Sequence, residues 1–302
     1  MGRIVVGVDE SAGAATALRW AVRESDARDW PLTAVLAWDF VNQHYPTGQK
    51  RFDPAYREAD ALAALNASVA GAVGTRRAAT IEHTVVCELA ASALLDASDG
   101  ADLLVVGARG LGGFRALLLG SVSQQCLHHA TCPVAIVREA VDEVGDTSGR
   151  IVVGIDGSET ARRALQWAVD SGRVHRASVE AVLAWGYFTS VGDPFLPAAF
   201  ELAPLTDAAH RTIDSFVDSA DTSGLPAPVT RTVSSGSAAA AILNAAEGAD
   251  LVVVGSRGLG GFKGLVLGSV SHQIVHHAKC PVVVVPPAVD ARSVIARRPC
   301  PV

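Results

Sequence analysis

Apolar positions along the chain fall into short β-branched runs that alternate with longer segments of helical period. Residues 4–8 (Ile-Val-Val-Gly-Val) form the first such run. No polar residue interrupts it, which predicts a strand buried on both faces, as in a parallel sheet. Over residues 11–28, Leu18, Ala21 and Val22 share one helical face while Arg19, Arg23 and Glu24 share the other, the pattern of an amphipathic helix. A second strand is expected at 32–38, after the turn at Trp30-Pro31. A loop rich in polar and aromatic residues follows over 42–57, then an Ala-rich helix to about residue 73. An alternating strand (80–87), a short helix (90–97), a strand ending at Val106, a Gly-rich loop, a helix (121–130) and a strand (133–137) complete the series. The same order returns between residues 151 and 285.

That return is a duplication. Asp9, Trp20 and Trp38 map to Asp156, Trp167 and Trp185 at an offset of 147, and Gly107 and Cys132 map to Gly255 and Cys280 at 148. One net insertion over a whole domain means two copies of a full fold rather than a short-period solenoid. The predicted units are residues 1–144 and 150–287, with a tail at 288–302 to which no role is assigned. Alternating strands and helices predict an α/β architecture: two tandem doubly wound parallel five-stranded sheets flanked by helices, Rossmann-like in winding. In such sheets ligands sit beyond the carboxyl ends of the strands, where the winding reverses.

The strongest repeat lies at that edge. Gly107-Ala-Arg-Gly-Leu-Gly-Gly-Phe-Arg-Ala-Leu-Leu-Leu-Gly-Ser121 is echoed by Gly255-Ser-Arg-Gly-Leu-Gly-Gly-Phe-Lys-Gly-Leu-Val-Leu-Gly-Ser269. Strand, Gly-rich loop and helix start in succession present backbone N–H groups to an anion. Charge agrees: the chain has a formal charge of −6, yet no Asp or Glu occurs at 103–138 or 251–289, where Arg109, Arg115, Arg138, Arg257, Lys263 and Lys279 lie. Phosphate suits that combination best. A purely conformational use of the glycines, for a tight turn and close helix–strand packing, is the competing reading. Neither copy fits Gly-Lys-Ser/Thr of a Walker loop or the third glycine of a dinucleotide fingerprint.

Both copies share Gly-x-x-Gly, nine residues, then Gly-Ser, and this resembles the ATP-binding signature of the universal stress protein family. The opening Val-Gly-Val-Asp9 and Val-Gly-Ile-Asp156 and the closing Cys-Pro-Val extend the resemblance over nearly the whole chain. It implies an adenine nucleotide alpha hydrolase-like fold and ATP, with Mg2+ held by the phosphates rather than by side chains, at up to two per chain. It implies that Gly107, Gly110, Gly113, Gly120 and Ser121, followed by Val122 and Ser123, cradle ribose and phosphates. In the second half the same role falls to Gly255, Gly258, Gly261, Gly268, Ser269, Val270 and Ser271. Asp9 and Asp156 would contribute to the adenine pocket, although a carboxylate there can equally cap the following helix. Gly7 and Gly154 would let the ligand approach the backbone, and Arg109 and Arg257 would meet phosphate. Family members pair through their last strands, so the halves are expected to pack as an intrachain pseudo-dimer. Homodimerisation through edge strands and an unknown regulatory protein partner are further expectations.

The remaining features narrow the function. No general base is evident, so the expectation is a regulator with slow ATP hydrolysis at most, not an enzyme. The alternatives are an adenylyl-transfer enzyme of the related pyrophosphatase type, whose Ser-Gly-Gly-x-Asp-Ser loop Asp9-Glu-Ser11 does not match, and an interaction module without nucleotide turnover. No basic tract points to nucleic acid, no apolar run reaches membrane-spanning length, and the chain opens on a strand rather than a signal peptide; a cytoplasmic location is expected. Five cysteines show no metal or Cys-x-x-Cys spacing and read as reduced thiols, with Cys132 and Cys280 as small buried packing residues. His128-His129 and His276-His277 project too far apart on a helix to share a metal; interaction with the last carbonyls of their helices is expected instead.

Overall fold

A computed structural model describes residues 2–39, 41–45, 52–110, 119–138, 149–185, 203–258 and 267–288. The first half runs β1 (Ile4–Gly7), α1 (Ala12–Arg28), β2 (Leu32–Trp38), α2 (Glu58–Val73), α3 (Thr75–Ala78), β3 (Glu82–Cys87), α4 (Ala90–Ala97), β4 (Leu103–Gly107), α5 (Ser121–His129) and β5 (Val134–Val137). The second runs β6 (Arg150–Ile155), α6 (Glu159–His175), β7 (Ser178–Trp185), α7 (Ala203–Asp218), β8 (Thr230–Ser235), α8 (Ala238–Ala245), β9 (Leu251–Gly255), α9 (Ser269–His277) and β10 (Val282–Val285). The short α3 was not expected from the pattern. Gly74, at φ 81, breaks the helical run, which restarts at Thr75, a conformation glycine adopts without steric cost.

Each half is a parallel five-stranded sheet, and the two are continuous. Strand order is β3-β2-β1-β4-β5-β10-β9-β6-β7-β8, parallel except at the centre. There β5 and β10 pair antiparallel, with Val134 opposite Val284, Ala135 opposite Val283 and Ile136 opposite Val282. The expected intrachain pseudo-dimer is thus a single ten-stranded sheet. With β5 and β10 paired inside the chain, the outer edges of the sheet are β3 and β8.

Alternation of strand side chains builds a core on each face. Ile4, Val6 and Val8 join Leu18, Ala21, Leu65 and their second-half equivalents on the α1/α2/α6/α7 face. Val5, Leu104 and Val106 join Leu94, Cys126, Ile242 and Ile274 on the α4/α5/α8/α9 face. Every residue of β5 and β10 is buried, and each full aliphatic burial contributes about 1.5–3 kcal/mol.

Polar contacts bridge the halves on both faces. On one, Glu24 of α1 lies 2.8 Å from both Arg28 Nε and His175 Nε2 of α6, and Arg28 also donates to Ser171 Oγ at 2.5 Å. The Arg28 guanidinium stacks between Trp30 (5.1 Å) and Trp167 (5.0 Å). On the other, Arg138 donates to the carbonyls of Val275 and His276 at the end of α9. The carbonyls expected to interact with histidine are therefore capped by an arginine from the opposite half. Among the described residues no helix is long and apolar enough to cross a membrane.

Candidate functional site

In each half the turn after the first strand meets the loop after the fourth. The strand order puts β1 beside β4, and their crossovers leave in opposite directions, so both turns open on one crevice. Ser11 caps α1, its Oγ accepting from Ala14 N at 3.0 Å. Asp9 Oδ1 in turn accepts from Ser11 N (3.1 Å) and Ser11 Oγ (2.5 Å). In the second half Asp156 Oδ1 accepts from Ser158 N at 2.9 Å and Ser158 Oγ from Ala161 N at 3.1 Å. One carboxylate oxygen thus orders the helix start, as the capping reading requires. The other faces the glycine loop: a Cβ built on Gly110 would lie 2.2 Å from Asp9 Oδ2, and one on Gly258 2.0 Å from Asp156 Oδ2. Aspartate and loop are packed so closely that only glycine fits between them.

The loop is closed by a main-chain bond. Gly120 N donates to Ala108 O at 2.8 Å, and Gly268 N to Ser256 O at 2.7 Å. Gly120 and Gly268 then start α5 and α9 from extended backbone (φ −77 and −71) without a capping side chain, whereas Ser11, Ser158 and Ser237 cap α1, α6 and α8. The first helical N–H groups of α5 and α9 have no acceptor within the helix, and the helix dipole adds partial positive charge there. Ser121 and Ser269 are exposed beside them, with Val122 and Val270 half-buried. Ser123 and Ser271 are placed differently from the expectation. Both are buried, and their hydroxyls donate to Gly107 O (2.7 Å) and Gly255 O (2.6 Å), tying helix to strand instead of facing a ligand.

The glycines divide into two kinds. A Cβ on Gly7 would lie 2.9 Å from Leu94 Cδ1, and one on Gly154 2.6 Å from Ile242 Cδ1. At Gly7 and Gly154 the space a side chain would take is held by a core side chain. A Cβ on Gly107 would lie 2.8 Å from the backbone of Gly13, and one on Gly255 2.9 Å from Thr160 Cβ, so both serve close packing of strand on helix. Among the described residues a Cβ on Gly120 or Gly268 would meet nothing nearer than 3.5 Å, and their φ values are ones any residue adopts. The packing of the described residues does not require glycine there. Gly113 and Gly261 lie outside the described residues.

Electrostatics favour an anion. Arg109 is close enough to Arg138 to act with burial, the larger cause, in lowering the Arg138 pKa. In the second half the main-chain oxygen of Arg257 accepts from Thr160 Oγ1 and, at 3.5 Å, from Ser158 Oγ, which pins that loop to α6. Cys126 is pushed up to about 12 and Cys132 and Cys280 to about 11, chiefly by burial; these thiols pack and do not react. Among the described residues no group of three or more His, Cys, Asp or Glu could hold a metal ion. A cleft of about 520 Å3 lies elsewhere, between α7 and β8, lined by Val217, Asp218, Pro228 and Arg231, and brings together none of the repeated residues.

Sequence reasoning missed three features: the Thr160 pin, the buried and unpartnered Ser256 Oγ, and Glu10 with His44 beside Asp9. The signal for Glu10 was available, since the duplication places glycine (Gly157) at its equivalent.

Comparison with known proteins agrees with this architecture. The universal stress protein family matches residues 1–138 and again 147–286. A universal stress protein of Mycolicibacterium smegmatis is 34% identical over 295 residues, covering 94% of this chain and 97% of that protein. One from Mycobacterium tuberculosis H37Rv is 33% identical over 302 residues, covering 93% and 94%. Among solved structures, a universal stress protein from Archaeoglobus fulgidus superposes with a TM-score of 0.61 at 20% identity, over 94% of this chain and 98% of that one. The chain belongs to the universal stress protein family, as a tandem of two such domains.

Proposed function

We propose that the protein is an ATP-binding regulator with one site in each half. Phosphates would lie at the uncapped starts of α5 and α9, within the loops closed at Gly120 and Gly268, and the base near Asp9 and Asp156. Mg2+ would be carried by the phosphates. The observation that carries the reading is the pair Gly120 and Gly268. Both are glycine in backbone that does not demand it, and among the described residues nothing lies closer than 3.5 Å to a methyl group built there, at a helix start without a capping side chain. A ligand that must reach the helix-start N–H groups explains the two glycines; the packing of the described residues does not. The close fit of aspartate against loop glycine in both halves supports a shared, preformed crevice. A regulator of this kind acts by binding one conformational state better than another, with ATP hydrolysis slow at most.

The reading is tested by denaturing the purified protein and identifying released nucleotide by chromatography, alongside melting with added ATP. Adenine nucleotide in the supernatant, or a melting temperature that climbs with ATP as mass action requires, is expected. Neither occurring at millimolar ATP would defeat the proposal.

A further inference from the structure

The two sites differ at the residue after the aspartate. Gly157 occupies left-handed backbone at φ 92, where glycine is unstrained; its counterpart in the first half is Glu10 at φ 65, where a side chain carries a steric cost. Glu10 is also half-buried. Its Oε1 has no hydrogen-bond partner, and its Oε2 stands 3.9 Å from His44 Nδ1, too far for a hydrogen bond. His44 Nδ1 has no partner either.

Tyr56 grips the His44 backbone from both sides, its hydroxyl accepting from His44 N at 3.1 Å and donating to His44 O at 2.7 Å. Trp38 and Tyr45 pack edge-on against Tyr56 with centroids at 5.3 Å, so the backbone that carries His44 is held in place beside Glu10. The charged and titratable groups around the pair are Asp9 in the same turn, Asp39 and Tyr45 on the segment after β2, and Tyr56 and Asp60 at the start of α2. Strain, partial burial and two side-chain atoms without a partner, Glu10 Oε1 and His44 Nδ1, coincide beside Asp9 in the first half, although Glu10 also bonds the Tyr45 backbone and His44 the Ala37 backbone.

We propose that Glu10 and His44 couple ligand binding in the first half to uptake of a proton, and that the second half binds without it. This rests on the nucleotide reading above. Burial, aided by the negative charge of Asp9 and opposed by the Tyr45 backbone N–H, pushes Glu10 up to about 7; burial lowers His44. Glu10 can therefore accept a proton near neutrality, whereas His44 does so only in more acid solution. A polyphosphate entering the crevice adds negative charge, which favours the protonated form of each. The proton taken up comes from solvent, and no covalent bond is formed. By linkage, affinity at the first site then rises as pH falls from 8 to 6, several-fold more than at the second.

Calorimetric titration with ATP at pH 7, in two buffers of different ionisation heat, counts the protons. Gly268→Ala isolates the first site and Gly120→Ala the second, so ATP's own titration is common to both. The proposal predicts about half a proton more taken up at the first site, a difference that E10Q removes. Glu10→Gly, which copies the second half and relieves the left-handed strain, should remove it as well. Equal proton counts at the two sites, or a count unaffected by both substitutions, would overturn the coupling while leaving nucleotide binding intact. Absence of ATP binding in either single-site variant and in the wild type would overturn both readings together.

Discussion

At the scale of single residues, the account depends on distinguishing glycines that serve the fold from glycines that serve a ligand. Gly107 is 2.8 Å, at a built Cβ, from the Gly13 backbone, and backbone cannot step aside as a side chain can. Gly107→Ala should cost about 1–3 kcal/mol, the usual penalty of overpacking, read from the urea midpoint. Gly120→Ala should stay within about 0.5 kcal/mol of wild type, as expected where nothing is crowded. A comparable loss in both would erase the distinction. Glu10 makes a second residue-level prediction. Its folded pKa lies above the ordinary carboxylate value, so the folded state binds the extra proton and stability falls as pH rises from about 4.5 to about 7. E10Q should therefore raise the melting temperature at pH 8 and change it little at pH 4. The Gly-x-x-Gly…Gly-Ser spacing was legible in the sequence, and so was the residue set around it. What spacing could not separate was role. The hydroxyls of Ser123 and Ser271 turn inward to strand carbonyls, which depends on how the helix docks back on its strand, and the faces of Gly7 and Gly154 are filled by Leu94 and Ile242, side chains distant in the chain.

At the scale of elements, the informative region is the seam. Apolar runs and helical periods located nearly every strand and helix, since β10 is four valines and α1 is plainly amphipathic. Pattern alone could not show which polar groups would bridge the halves. Glu24, Arg28 and His175 form a buried network between α1 and α6, and the His175 and Arg28 partners hold the Glu24 carboxyl below its usual range against the opposing effect of burial. A depressed carboxylate contributes stability above its unfolded value near 4.5 that is lost as pH falls through the lower folded value. Glu24→Gln should destabilise the protein at pH 7 by about 3–5 kcal/mol, the cost of breaking one member of a buried ion pair, with a smaller difference in acid. Denaturant unfolding at pH 7 and pH 3 checks this; a loss independent of pH would contradict the charge argument. The seam also explains why a lone Arg138 matters, as it caps α9 from the other half.

At the scale of the whole molecule, duplication has turned two five-stranded sheets into one of ten. Strands and cores run unbroken through β5 and β10, so the halves should unfold together. One thermal transition, with calorimetric and van't Hoff enthalpies in agreement, is expected; two resolved transitions would mean that the seam does not couple them. The continuity also places both loops on helices that run back to the seam, α5 and α9, one from each half. Two sites so related, yet unlike at Glu10 and Gly157 and at Thr160 and Gly13, need not respond alike to one ligand. The central claim is that each half holds one nucleotide through its own loop. Calorimetric titration of ATP into wild type, Gly120→Ala, Gly268→Ala and the double variant tests it most directly. The account predicts two, one, one and none per chain, all four proteins remaining folded; binding that survives in the double variant, or that is absent from the wild type, would contradict it.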